Sequence, residues 1–192
     1  MNLVTITEPT AEPVSLSEAK LHLRVDHADE DTLISGLISG ARGQIEALCW
    51  HALMTQTLEL VLDGWPCGDT IELPHPPLQS VTSISYKDVD GVTTTLASDQ
   101  YSVAKDSEPG RIVLAPGCTW PGVTLWTAEA IRVRFVAGWL SAAAVPQRLK
   151  QALLLLVGEW YAMREANAGN VQEIPFAVSA ICGDYRLRVR RS

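Results

Sequence analysis

The sequence has no apolar run long enough to cross a membrane. Its longest, Ala152 to Gly158, falls far short of the roughly 20 residues a spanning helix needs. The first residues, Met1-Asn2-Leu3-Val4-Thr5, place no basic cluster before an apolar stretch, so no secretory signal is expected. Cysteine is scarce. Cys49, Cys67, Cys118 and Cys182 form no C-x-x-C pair and no regular spacing. That excludes a disulfide scaffold and predicts reduced thiols in a cytosolic setting. A zinc site would have to be assembled from distant segments. Lysine is scarce too, at four residues against eleven arginines, and arginine is the side chain suited to paired, partly desolvated contacts. The chain has no internal repeat, no Gly-x-Ser-x-Gly elbow, no phosphate loop and no dinucleotide fingerprint.

What is present is globular. The chain has 192 residues, 47% apolar and 19% charged, which suits one medium domain or two small ones sharing a core. A chain of this size buries roughly 70% of its unfolded surface. The net charge of −7 is uneven, because Arg186, Arg188, Arg190 and Arg191 fall in the last seven positions. Residues 1–185 hold eleven basic against twenty-two acidic groups, a balance of −11. An acidic body repels bare nucleic acid, so sequence-reading DNA binding is disfavoured.

Residues 1–14, with Glu8-Pro9 and Glu12-Pro13, read as an extended arm. Ser15-Leu16-Ser17-Glu18 has the form of a capping box, and a short helix is predicted to run to about Arg24. A second helix opens in the acidic stretch Asp26 to Asp31, where negative charge suits the positive end of the helix dipole. It carries Leu33, Ile34, Leu37, Ile38, Ala41, Ile45 and Leu48 at helical spacing. Gly36, Gly40 and Gly43 weaken it by up to about 1 kcal/mol each and suggest close approach of another backbone. From Thr55 the period changes to two, with six or seven short strands over residues 55–138, as in a small antiparallel sandwich or barrel. Helix returns at Pro146 and is predicted to reach Glu165. Its centre, Ala152 to Val157, is apolar on nearly every side, which points to burial on both faces and to a neighbouring subunit. A last short helix runs from Pro175 to about Cys182. The expected class is α+β: residues 1–54 an arm and helix pair, 55–140 an inserted antiparallel β domain, 141–192 helices and a basic tail completing the helical domain.

Chemical sites are few. Asp88-Val89-Asp90-Gly91 lacks the ligand spacing of a calcium loop and reads as a hairpin turn. Cys49 and His51 stand two apart on a helix and do not face each other. His22, His27, Asp26 and Asp29 suit a solvated helix–helix turn better than a metal cluster. No nucleophile, base and oxyanion donor come together, so no catalytic residue, cofactor or metal is assigned. In the tail, Arg186, Arg188 and Arg190 alternate with Leu187 and Val189. Strand spacing puts arginines on one side and apolar residues on the other. Such a segment suits β-addition or Arg–carboxylate docking; the alternative is a terminus with leftover charge.

One ordered set of motifs spans the chain. It opens with Pro13-Val14-Ser15-Leu16-Ser17-Glu18-Ala19-Lys20-Leu21-His22-Leu23-Arg24-Val25-Asp26. It continues through Asp31-Thr32-Leu33-Ile34, Ala41-Arg42, Ile45-Glu46, Gln56-Thr57, Leu73-Pro74, Pro76-Pro77-Leu78-Gln79-Ser80-Val81, Pro109-Gly110-Arg111-Ile112, Arg134-Phe135, Ala137-Gly138-Trp139, Val145-Pro146 and Ile174-Pro175-Phe176. The set resembles phage head–tail connector (adaptor, head-completion) proteins, also found in gene transfer agents, in a long form with a β insertion. The resemblance implies a virion protein made in the bacterial host cytoplasm. It implies a ring, usually of twelve copies, under the portal protein, with DNA passing through its lumen unread and a tail-side stopper or terminator docking below. It assigns portal contact to Ile174, Pro175, Phe176, Tyr185, Arg186, Arg188, Arg190 and Arg191. Ring contact falls to Gly36, Gly40, Gly43, Leu153, Leu156 and Trp160. An acidic lumen near Asp29, Glu30 and Asp31 would let DNA slide. The alternatives are another tail-completion or terminator protein, and an enzyme of unknown type.

Overall fold

The computed structural model describes residues 2–163 and 174–186. The chain divides into two compact units, Met1–Pro9 with Thr55–Gly138, and Thr10–Met54 with Trp139–Ser192.

The first unit is antiparallel β. Its strands are β1 (Asn2–Thr7), β2 (Gln56–Leu62), β3 (Thr70–Leu73), β4 (Leu78–Lys87), β5 (Thr93–Thr95), β6 (Tyr101–Ala104), β7 (Gly110–Leu114) and β8 (Ile131–Ala137). They form a five-stranded sheet, β1-β2-β8-β4-β5, and a three-stranded sheet, β3-β7-β6. Both sheets keep open edges, so the architecture is two open sheets and not a closed barrel. Register explains the alternation. Leu60 pairs with Val133 and Val133 with Ile84, while Leu58 pairs with Phe135, and all are buried. On the opposite face Glu59 pairs with Arg134 and Val61 with Arg132. Gly110 is demanded by packing: a Cβ there would lie 2.6 Å from the Cβ of Leu78.

The amino-terminal stretch differs from the expected arm. Residues 2–7 are an edge strand whose Leu3 and Thr5 stand opposite Leu60 and Leu58 of β2. Run of β-branched residues and the apolar partners on β2 together account for it. The segment 1–54 is thereby shared between the two units.

The second unit is helical: α1 (Leu16–Leu23), α2 (Asp31–Cys49), α3 (Gln147–Ala162) and α4 (Phe176–Tyr185). The capping box is formed as predicted. The Glu18 backbone N–H donates to Ser15 Oγ at 3.2 Å and the Ser15 N–H donates to Glu18 Oε2 at 2.8 Å. The Ser15 N–H and, at 2.7 Å, the Ser15 hydroxyl both donate to the Glu18 carboxylate and hold it below its ordinary pKa. The core joins Ala19, Ile34, Ile38, Ala41, Ile45, Leu149, Leu153, Leu156 and Val178. Each fully buried Leu or Ile contributes about 1.5–3 kcal/mol relative to exposure. The helix at 147–162 is covered by its own chain: α1, α2 and α4 all pack on α3. Its all-round apolarity therefore reflects three intramolecular neighbours, and a second subunit is not needed to explain it.

A buried ion network locks this unit. Arg42 donates from Nε to Glu12 at 2.9 Å and from Nη1 to Glu46 at 3.0 Å. Glu46 also accepts the Leu53 N–H at 2.7 Å. The segment before α1, the middle of α2 and the chain after α2 are thus tied at one point.

Candidate functional site

The residues assigned to portal contact lie around α4. Pro175 caps it. Ile174 packs on the helical core, while Phe176, in the first turn, is 87% exposed. At the other end Tyr185 is half-buried and meets the His51 ring edge-on at 6.4 Å. Arg186 is exposed and caps the helix. Nine residues of helix put Phe176 and Tyr185 roughly 14 Å apart, so the set is split between two ends of one element. Arg148 anchors α4 to α3 through Asp184 at 2.7 Å. Arg188, Arg190 and Arg191 lie outside the described residues.

The residues assigned to ring contact also separate. Leu153 and Leu156 are 0% and 1% exposed inside the helical core. They have no surface to offer a neighbour, which corrects that part of the expectation. Gly36, Gly40 and Gly43 lie on the exposed side of α2. A Cβ at Gly40 would meet the Trp160 ring at 3.2 Å, whereas a Cβ at Gly36 or Gly43 would meet nothing within 4 Å among the described residues. Packing among the described residues thus accounts for Gly40 and not for Gly36 or Gly43. Leu33 and Trp50 extend the same 3-4 spacing as exposed apolar residues.

Glu30 and Asp31, and the thiols of Cys49 and Cys182, are engaged or shielded, while Cys67 is exposed. Asp31 accepts from Lys20 at 2.6 Å, and the Tyr161 hydroxyl donates to Glu30. Burial pushes the Cys49 thiol up to about 12 and the Cys182 thiol up to about 11, so neither is a nucleophile at neutral pH. The buried His51 donates from Nδ1 to the Cys49 carbonyl at 2.9 Å and stacks on Trp139. It is a packed core histidine. Among the described residues no three His, Cys, Asp or Glu side chains gather as a metal site, and no helix is long and apolar enough to cross a membrane.

The β unit carries features that sequence reasoning missed. Glu59 is buried between Arg132 (2.8 Å) and Arg134 (2.7 Å). Burial raises its pKa, but hydrogen bonds from Arg134 and Arg132 win and hold it below the ordinary value. Trp65 stacks on Trp120 at 4.7 Å and meets Tyr86 edge-on. Lys87 lies over the Trp126 ring at 4.2 Å. The Asp88 turn is a hairpin: Asp88 Oδ1 accepts the N–H groups of Asp90 and Val92, and Gly91 takes a φ of 84°. The paired sequence signal for these contacts was only the alternation of Arg132 and Arg134 with Val133.

Buried charges paired within each unit and large apolar side chains standing exposed on rigid elements suit a structural protein made for assembly. Comparison with known proteins sharpens this. Residues 13–107 match the model of the phage gp6-like head–tail connector protein. The fold is similar over the whole chain to a chain from the neck of an empty gene transfer agent particle computed with C6 symmetry (TM-score 0.81, 26% identity, 100% of this chain and 99% of that one). It is similar to one from the virion of a native gene transfer agent particle (0.80, 27%, 100% and 99%). It is also similar to one from the neck of a native particle computed with C12 symmetry (0.79, 28%, 100% and 99%). No curated protein matches the sequence. The chain is similar to the head–tail connector family over residues 13–107 and to neck chains over its whole length, and its role is that of a structural connector.

Proposed function

We propose that the chain assembles as a closed ring of twelve copies at the neck of a tailed particle, under the portal, and continues the DNA channel toward the tail. The observation that carries this reading is the full-length likeness to a neck chain in a particle computed with C12 symmetry. A ring needs two different contact surfaces on each copy. The exposed α2 face supplies one of them. Gly36 and Gly43 cost the helix stability and make room for no side chain or backbone among the described residues, which favours close approach by a neighbour at Gly36, Gly40 and Gly43, with Trp160 beside them.

Portal docking falls to the exposed Phe176 and to the basic end from Arg186 to Arg191, with Ile174, Pro175 and Tyr185 fixing α4 in place. DNA passes without being read, because the body outside the basic end is acidic and phosphate is held by Lys and Arg. The chain performs no catalysis in this role and takes no cofactor. It is made in the host cytoplasm and resides in the virion. Mixing the full chain, and a form lacking residues 174–192, with portal protein tests the docking site. The account expects native mass spectrometry to show a portal complex with the full chain only. Equal binding by the shortened chain would remove the assignment. A sixfold assembly that ignores the portal would favour a terminator-type ring, the reading that the C6 neck structure keeps in view.

A further inference from the structure

The chain passes between the two units three times, at Pro9–Thr10, Met54–Thr55 and Gly138–Trp139. The second and third passages leave the β unit side by side. Gln56 and Ala137 are partners in the antiparallel ladder of β2 and β8, so the two stretches of chain stand about 5 Å apart there. Each is held up to its last residue in the β unit. Gln79 commits both amide hydrogens to them. Its Nε2 donates to Thr55 Oγ1 at 2.8 Å and to the Gly138 carbonyl at 2.6 Å. The Gly138 N–H donates in turn to the Pro77 carbonyl at 2.9 Å.

The helical unit takes hold at the next residue. Leu53 and Met54 belong to its core, and the Leu53 N–H donates to Glu46 at 2.7 Å. Trp139 packs against the same core, and its ring lies on that of His51 at 5.9 Å, with the planes 10° apart. Each of these passages is thereby reduced to a single peptide link. At the second link Gly138 takes a φ of 107°, a conformation open to glycine and costly for a residue with a Cβ. The first passage is longer. Thr7 still pairs with Thr57 in the sheet, Arg42 holds Glu12 at 2.9 Å, and Glu8, Pro9, Thr10 and Ala11 lie between them. One link alone would let a body swivel in every direction. Two links side by side, each clamped on both sides, leave only rotation about the line that joins them. The stretch from Thr7 to Glu12 reaches at most about 18 Å, which limits that rotation without blocking it.

We infer that the links Met54–Thr55 and Gly138–Trp139 form a one-axis hinge about which the two units turn as rigid bodies, with Gln79 as its pin on the β side and the His51–Trp139 stack as its seat on the helical side. The inference goes beyond the connector reading and does not depend on it. In an assembly such a hinge leaves one unit free to turn while the other is fixed. The test uses the full chain carrying Cys118→Ser, in which Cys67 is the exposed thiol and Cys49 and Cys182 are buried. Spin labels are placed on Cys67 in the β unit and on Leu21→Cys in α1, where the native side chain is 82% exposed. Distances are read by double electron–electron resonance, with an excess of unlabelled chain to dilute contacts between copies. A control pair, Cys67 with Val103→Cys, lies within the β unit. The distribution between units is expected to be at least about twice as wide as the control's, as rigid-body turning requires. Gln79→Ala is expected to widen it further and to leave the control unchanged. A distribution between units as narrow as the control's overturns the inference. An unchanged width in Gln79→Ala overturns it as well, because the amide would then pin nothing. So does a control widened by Gln79→Ala, since Gln79 would then hold the β unit together and not the hinge.

Discussion

Among the described residues each unit buries one glutamate, and the two glutamates are neutralised in different ways. In the helical unit Glu46 is paired with Arg42, whose side chain is itself only 8% exposed. In the β unit Glu59 is 5% exposed, but its partners Arg132 and Arg134 are 47% and 44% exposed. The first pair is nearly sealed, so loss of one partner leaves the other's charge with little access to water. The second is open on the arginine side, and either arginine or solvent can take over from the other. Burial of the anion alone does not set the cost of breaking a pair; access of water to the whole pair does.

The largest effect expected is therefore at Arg42. Arg42→Ala should lower stability by about 3–5 kcal/mol, read by denaturant unfolding, and a loss under about 1 kcal/mol would break the comparison. Leu153→Ala comes next, at about 2–5 kcal/mol for a cavity in a closed core, because this side chain packs inside the protomer. Arg132→Ala in the β unit should cost only about 1 kcal/mol or less, since Arg134 remains on Glu59. Gly36→Ala and Gly43→Ala sharpen the contrast in the opposite direction. Each should stabilise the isolated protomer by up to about 1 kcal/mol while lowering the yield of rings, whereas Gly40→Ala should gain less because Trp160 stands at 3.2 Å.

Acid acts on two carboxylates whose pKa the structure lowers, one in each unit. Glu59 and Glu18 both have folded pKa values below the ordinary 4.5. Their contribution is present above the unfolded pKa and is lost as pH falls through the folded one. Wild-type stability should thus decline below about pH 4.5, and Glu59→Gln should flatten that decline. An equal slope in wild type and variant would mean that Glu59 does not carry it.

Legibility in the sequence followed the range of the contact. The capping box spans three residues, and Ser15 with Glu18 announced it. The strand at 56–62 was readable from its own alternation, and the turn at Asp88 from its Asp and Gly. The α2 core was readable from Ile34, Ile38, Ala41 and Ile45. The Arg42–Glu12 contact joins positions 30 apart, and Glu59 meets Arg132 and Arg134 across 73 and 75 positions. No local pattern encodes which strand lies beside which. The strand at 2–7 was hidden for the same reason: its apolar partners lie more than fifty residues on. Apolarity alone also misled at Leu153 and Leu156, because a helix enclosed by three neighbours of its own chain has the same composition as one enclosed by a second subunit. Exposed glycines without an internal contact, at Gly36 and Gly43, were informative only once the structure showed the space around them.

The central claim is a closed twelvefold ring built on a glycine-lined helix face and seated on the portal. Native mass spectrometry of the full chain mixed with portal protein tests it most directly. The account predicts twelve copies per portal complex for the wild type and fewer, or none, for Gly36→Ala/Gly43→Ala. A stable monomer that never joins the portal, in wild type and variant alike, would contradict it.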